Sequence, residues 1–200
     1  MSRATSLAPH AVLGALSALG YALGMRDASD EKLMRQYASG DMSAFELLYE
    51  RYRGPLYRYI RRQVGDPATA NDLYQGSWEK VIRARTSYSP KAPFKAWIYR
   101  ITRNHLVDHY RRSKPQVPLE QEEHVSGNPQ PLDSAATEQR QEQLLEAIQR
   151  LPADQKDALL LKLEGGLDLE EIAKITGAGR ETVKSRLRYA TAKLKQALQS

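Results

Sequence analysis

The stretch DLEEIAKITGAGRETVKSRLRYATAKLKQAL, residues 168–198, is the part of the chain whose reading decides the fold. Asp168 stands three residues before Glu171, the spacing of a capping box, in which each side chain satisfies a backbone N–H at the start of a helix. Leu169, Ile172 and Ala173 then share the inner face of a short helix. Gly177-Ala178-Gly179 ends it in a tight turn, because glycine adopts backbone conformations that a side chain forbids. Beyond the turn Val183, Leu187, Ala190, Leu194 and Leu198 recur at steps of three and four, which predicts a longer helix with that stripe buried. The same spacing leaves Arg180, Lys184 and Arg188 together on another face, with Thr182, Ser185 and Arg186 in the leading turns. A short helix, a glycine turn and a longer basic helix make a helix-turn-helix, whose second helix enters the major groove of duplex DNA by its N-terminal end. Arg can read guanine edges there, while Lys and hydroxyls hold phosphates. A helical hairpin with a solvated basic face is the alternative, and the agreement of turn, apolar spacing and charge placement favours DNA binding.

Upstream, the apolar residues keep helical spacing from Asp30 onward and no segment sustains a period of two, so the chain is expected to be all-α. A first helix is expected from Asp30 to Ala38, stopping near Gly40, with Asp41 capping the next. The second places Phe45, Leu48, Tyr49, Tyr52, Leu56 and Ile60 on one face, with Gly54-Pro55 as a kink. A third spans Thr69 to Ala84 with Leu73, Trp78, Val81 and Ile82 inward, and a fourth runs from Phe94 to Arg112. Between Ser113 and Thr137 four prolines and several acids replace the apolar pattern, which is the composition of a flexible linker. Helical spacing resumes at Leu144, Leu145 and Ile148, and continues through Leu159, Leu160 and Leu163 to Gly165-Gly166. Two small helical domains joined by a flexible linker are expected, divided as residues 26–112, 113–137 and 138–200.

Charge follows the same division. The net charge is +6, and six Lys/Arg face one acid between Lys95 and Lys114, seven acids face one Arg between Gln116 and Glu146, and seven Lys/Arg face one Glu between Lys174 and Lys195. Basic, acidic, basic is the pattern of two nucleic-acid contacts joined by a segment that stays off phosphate. There is no cysteine, which excludes disulfides, thiolate zinc sites and cysteine nucleophiles. Residues 1–25 are a separate case, because Ala4 to Met25 holds no charged side chain. A membrane span needs about 20 strongly apolar residues, whereas this stretch is diluted by Pro9, His10, Ser17 and three glycines. A secretory signal is only loosely imitated by Arg3 and by Ala15 to Ala18. A weakly helical or disordered extension is the favoured expectation, with no membrane contact.

The fourth helix is dense in aromatic and cationic groups, running Phe94-Lys95-Ala96-Trp97-Ile98-Tyr99-Arg100-Ile101-Thr102-Arg103-Asn104 and then Leu106-Val107-Asp108-His109-Tyr110-Arg111-Arg112. Aromatic faces accept splayed bases and cations track phosphates, so single-stranded DNA suits it. Trp97, at helical spacing from Phe94 and Ile101, fits the core better than a base. His105 and His109 stand at i, i+4, but Leu106 follows the first histidine where zinc proteases place Glu. No third ligand, phosphate-binding glycine loop or serine nucleophile motif is in view, so neither a metal, a cofactor, a small-molecule substrate nor an enzymatic activity is expected.

The helix-turn-helix, with Glu170-Glu171-Ile172-Ala173 followed by Glu181-Thr182-Val183-Lys184-Ser185-Arg186-Leu187, resembles the C-terminal promoter-binding domain of sigma factors. Related helices occur in response regulators, so this motif alone leaves a transcriptional activator open. The aromatic and basic helix resembles the minus-ten recognition and melting helix of extracytoplasmic-function sigma factors, and Ala70-Asn71-Asp72-Leu73-Tyr74-Gln75-Gly76-Ser77-Trp78 resembles their polymerase-binding segment. The departures are Asn71, Gly76 and Trp78 in that segment and Glu181 before Thr182. The resemblance covers Asp30 to Leu198 in the same domain order, with no room for a third domain.

It implies a cytoplasmic alternative sigma factor that binds core RNA polymerase and promoter DNA and is held off by an anti-sigma factor. Asp72, Leu73, Gln75, Trp78 and Glu79 would contact polymerase. Lys91, Lys95, Tyr99, Arg100, Arg103, Asn104, Arg111 and Arg112 would hold the melted strand, and Arg180, Thr182, Lys184, Ser185, Arg186 and Arg188 the duplex. The acidic run Glu120, Glu122 and Glu123 would either mimic polyanion in polymerase channels or simply solvate a spacer.

Overall fold

The computed structural model describes residues 25–113 and 143–199; all of the expected linker but Ser113, and all of the N-terminal extension but Met25, lie outside them. Helix α1 (Asp30–Ala38) begins where the Ser29 hydroxyl accepts from the Lys32 N–H, and it buries Leu33, Met34 and Tyr37. Asp41 caps α2 (Met42–Val64), which continues through Pro55 and ends at Gly65, whose positive φ of 79° suits glycine. Asp66 accepts from the Thr69 N–H at 2.7 Å and Pro67 fills the first turn of α3 (Pro67–Arg83). A short 3₁₀ turn, Arg85–Ser87, leads to α4 (Phe94–Ser113). The first N–H of α4, from Phe94, donates to Glu31 Oε1 of α1 at 3.0 Å, a contact across 63 residues.

The second half contains α5 (residues 143–149), α6 (Ala153–Leu163), α7 (Leu169–Thr176) and α8 (Arg180–Ala197). The capping box forms in full, the Asp168 side chain accepting from the Glu171 N–H and the Glu171 side chain from the Asp168 N–H. Gly177 ends α7 in the left-handed region at φ 70° and Gly179 opens α8, so two glycines make the turn between the helices.

The first four helices are joined by an aromatic cluster. Trp78 of α3 meets Phe45 edge-on at 5.8 Å and Tyr49 at 5.0 Å, while Trp97 of α4 packs on Tyr88 and Phe94. Such pairs contribute about 0.5–1.5 kcal/mol each beyond the area they bury. The same buried cluster runs on into Ile148, Leu160, Ile172 and Val183, so α2 and α4 pack against α6 and α7. Four apolar positions depart from the expected inward set: Ile82, Leu145, Leu163 and Leu198 are exposed. In α6 the run Leu159-Leu160-Leu161 fills the core and Leu163, two residues on, has rotated past it.

Candidate nucleic-acid interface

On α3, Asp72, Gln75 and Glu79 follow at steps of three and four and all three are exposed. They line an open cleft of about 390 Å³ whose other wall carries His105 and His109 of α4. Gly76 lies at its floor, and a Cβ there would stand 2.6 Å from His105 Nε2. The missing side chain is therefore the space that the His105 ring occupies. Burial, with Lys80 and Arg112 nearby, holds the His105 imidazole below its ordinary pKa. Leu73 and Trp78, expected at this contact, are the inward positions of the same helix: Leu73 is buried at the wall of the cleft and Trp78 between Phe45 and Tyr49. Among the described residues no cluster of three or more His, Cys, Asp or Glu could hold a metal ion.

The residues expected to meet single-stranded DNA divide into two groups. Arg100, Asn104, Arg111 and Arg112 project from α4 into solvent, and Lys91 is exposed in the preceding loop. Lys95, Tyr99 and Arg103 face the second half instead. Lys95 Nζ lies 3.2 Å from Glu171 Oε2 and donates to the Gly166 carbonyl at 3.2 Å. Arg103 Nε donates to Asp157 Oδ2 at 2.6 Å. Tyr99 is 1% exposed, stacks edge-on with Tyr59 and donates its hydroxyl to the Glu164 carbonyl at 2.8 Å. Burial, with the Glu164 carboxylate near, raises its phenol well above the ordinary range. In this arrangement Tyr99 is buried and has no face to offer a base. Trp97 is packed, as its spacing favoured.

Helix α8 presents Arg180, Thr182, Lys184 and Arg188 at its exposed surface, with Ser185 and Arg186 half-buried. Glu181 sits among them, pairing with Arg180 at 3.2 Å and Lys184 at 3.6 Å. An acid in the first turn suits the helix dipole, and here it also holds two cations in place. Arg180 additionally pairs with Glu170 of α7 at 3.1 Å, Arg186 pairs with Asp154 of α6, and the Arg188 guanidinium lies 5.0 Å from the Tyr189 ring.

Sequence reasoning missed the network that joins the halves. Glu164 accepts from Arg58 Nε at 2.8 Å and from Arg62, while Asp157 accepts from the Tyr59 hydroxyl at 2.9 Å, from Gln63 at 3.1 Å and from Arg103. A signal was present, since Arg58 and Arg62 are one turn apart on α2, and Asp157 of α6 is two turns before its cap residue Glu164. Nothing local says that the two pairs meet.

Two family models match the chain, Sigma-70 region 2 over residues 48–116 and Sigma-70 region 4 over residues 141–194. The ECF RNA polymerase sigma factor SigM of Mycobacterium tuberculosis is 30% identical over 188 residues, covering 93% of this chain and 92% of SigM. The chain belongs to the extracytoplasmic-function sigma factors. As an alternative sigma factor it binds core RNA polymerase and directs promoter-specific transcription initiation. The sigma-H factor of Pseudomonas aeruginosa is 32% identical over 181 residues, spanning 85% of this chain and 94% of that one. Among solved structures, CnrH in complex with the cytosolic domain of CnrY shares the fold at TM-score 0.65 and 23% identity, covering 86% of this sigma factor and 98% of that chain. RpoE of Bartonella quintana, in complex with the anti-sigma factor NepR, does so at 0.64 and 24%, over 78% and 96%. In this sigma factor, helices α2 to α4 fall within the region 2 match for all but the start of α2, and α5 to α8 carry region 4. Among the described residues no helix is long and apolar enough to cross a membrane.

Proposed function

We propose that three exposed faces divide the work of this sigma factor. Asp72, Gln75 and Glu79 on α3 contact core polymerase. Lys91, Arg100, Asn104, Arg111 and Arg112, joined by Lys95 and Arg103, hold the melted promoter strand. Arg180, Thr182, Lys184, Ser185, Arg186 and Arg188 on α8 meet the upstream element as duplex. Residues 26–112 and 138–200 act as the two functional domains, and 113–137 as the linker between them. The protein works in the cytoplasm without catalysing a reaction, opening DNA by binding energy alone. An anti-sigma factor is its regulator, by analogy with the partners in the CnrH and RpoE complexes.

The observation that carries this division is the exposed ladder Arg100, Asn104 and Arg111 on α4, on the helix that also walls the acidic cleft of α3. The cations Arg100 and Arg111 can track a phosphate backbone with the Asn104 amide between them as a hydrogen-bonding group, while the carboxylates of Asp72 and Glu79 would repel it and are better placed against a protein. Asp72→Ala or Gln75→Ala should weaken co-purification with core polymerase without changing duplex binding by region 4. Replacing Arg100 and Asn104 together by Ala should impair run-off transcription from duplex promoters, and a template already melted at the downstream element should recover part of the loss. Permanganate reactivity of the promoter bubble reports the opening directly. Normal opening by the double variant, or no recovery on the melted template, would overturn the assignment of melting to α4.

A further inference from the structure

Beside the shared apolar cluster, region 2 and region 4 are joined by polar contacts, and these are concentrated on two acids, Asp157 of α6 and Glu164 at its C-terminal cap. Asp157 and Glu164 lie two turns apart, and the Glu164 side chain is 6% exposed although it is the cap residue at the end of α6. Between them they receive Tyr59, Gln63, Arg103, Arg58 and Arg62, all from region 2. The surrounding contacts point the same way. Tyr99 donates to the Glu164 carbonyl, Lys95 reaches Glu171 and the Gly166 carbonyl, and Arg103 also reaches the Ile175 carbonyl at 3.4 Å. From the other side, Lys156 Nζ donates to the Gln63 carbonyl at 3.3 Å and Gln149 to the Arg62 carbonyl at 2.8 Å.

Two features separate this from incidental surface pairing. Exposed ion pairs hold little energy because water and salt compete for both partners, whereas here the acids are largely withdrawn from water and each has several donors. Moreover, the region 2 groups engaged include Lys95, Tyr99 and Arg103, three positions on the helix assigned above to the melted strand. A guanidinium bound to Asp157 is not free to bind phosphate.

We propose that Asp157 and Glu164 form an interdomain latch, which holds regions 2 and 4 closed against one another and withholds Lys95, Tyr99 and Arg103 from single-stranded DNA. The masking rests on the proposed role of α4, whereas the latch itself does not. Full use of the melted-strand surface then requires the domains to separate, and a partner that spreads them does two things at once: it releases region 4 to reach duplex, and it returns the α4 cations to the solvent. A ligand of the open state sees an affinity reduced by the fraction of molecules that are open. If about one molecule in ten is open, breaking the latch raises affinity for single-stranded DNA about tenfold.

The test uses the full chain. Because the sequence has no cysteine, Ser43→Cys on α2 and Ala192→Cys on α8 give two unique labelling sites for fluorescence energy transfer between the domains. Two unlatched forms are compared with the parent, Asp157→Asn with Glu164→Gln, and Arg58→Gln with Arg62→Gln. Both should lower transfer efficiency at low salt, and both should bind a fluorescently labelled, mixed-sequence single-stranded DNA more tightly by anisotropy. The arginine form is decisive, because it loses two positive charges and would bind polyanion less well if charge alone mattered. It also leaves region 4 intact should the acid form fold poorly. Unchanged transfer in both forms overturns the latch whatever the DNA does. Tighter binding by the acid form alone, with looser binding by the arginine form, overturns the masking. Adding Lys95→Ala and Arg103→Ala to an unlatched form should remove the gain. If the domains open and the gain survives those changes, the assignment of α4 fails while the latch stands.

Discussion

At position 76 two preferences of a single residue oppose each other. A glycine inside a helix costs about 1 kcal/mol relative to alanine, yet the Cβ that alanine would add stands 2.6 Å from His105 Nε2. Among the described residues the buried Nδ1 of the ring has no hydrogen-bond partner, so packing alone sets the position of the ring. Gly76→Ala should therefore stabilise the protein by about 1 kcal/mol when His105 is also alanine, and gain less or lose outright when His105 is present. Urea unfolding of the two single variants and the double variant measures that coupling, and additive values would mean that the ring moves aside freely. The same histidine gives a pH signature. Its folded pKa lies below the ordinary 6.5, so the unfolded chain takes up a proton first as pH falls. The neutral ring contributes its stability above about 6.5 and loses it as pH drops through the folded value. The decline in stability below that pH should be shallower in His105→Ala.

The helices owe their starting points to a small set of side chains, and most of these were legible because capping is local. Asp41 and the box of Asp168 with Glu171 follow from spacing alone, and both form. The start of α4 was not legible, since its cap is Glu31, 63 residues away. Nor could periodicity rank neighbours on one face: Ile82 and Leu163 fit their helical patterns and lie exposed, while Leu73 and Trp78, read both as core and as a contact surface, are buried, Leu73 at the wall of the cleft. The carboxyls of Glu31, Asp66 and Asp168 share one electrostatic feature. Each accepts a backbone N–H, from Phe94, Thr69 and Glu171 respectively, and each titrates below its ordinary value for that reason. Depressed carboxyl pKa values stabilise the fold above the unfolded values and release that stability as pH falls through the folded ones. Thermal midpoints followed by circular dichroism should drop between about pH 5 and about pH 3, and Glu31→Gln should remove part of the slope.

For the whole molecule, basic, acidic and basic blocks were read as two DNA contacts and a spacer. The fold adds that part of the region 2 charge is answered within the chain, by Asp157, Glu164 and Glu171. Block composition could not reveal this, because those acids lie in helices whose own neighbourhood is mixed. A thermodynamic consequence follows that needs no DNA. Both tryptophans, Trp78 and Trp97, lie in region 2, so their fluorescence follows that domain alone, whereas far-ultraviolet circular dichroism follows the helices of both. With the latch intact the two domains share one buried cluster and one polar network, and the two signals should change together in urea. Hydrogen bonds to charged groups contribute about 1.5–3 kcal/mol each, toward the lower end here because Arg58 is 52% exposed and regains water when released. Losing several of them at once in the Asp157→Asn, Glu164→Gln form removes more coupling than a small domain's margin of about 5 kcal/mol easily absorbs. The weaker domain should then unfold first and the two signals should separate. If they still coincide, the shared apolar cluster couples the domains by itself, and the acids of α6 add affinity between them without setting their cooperativity.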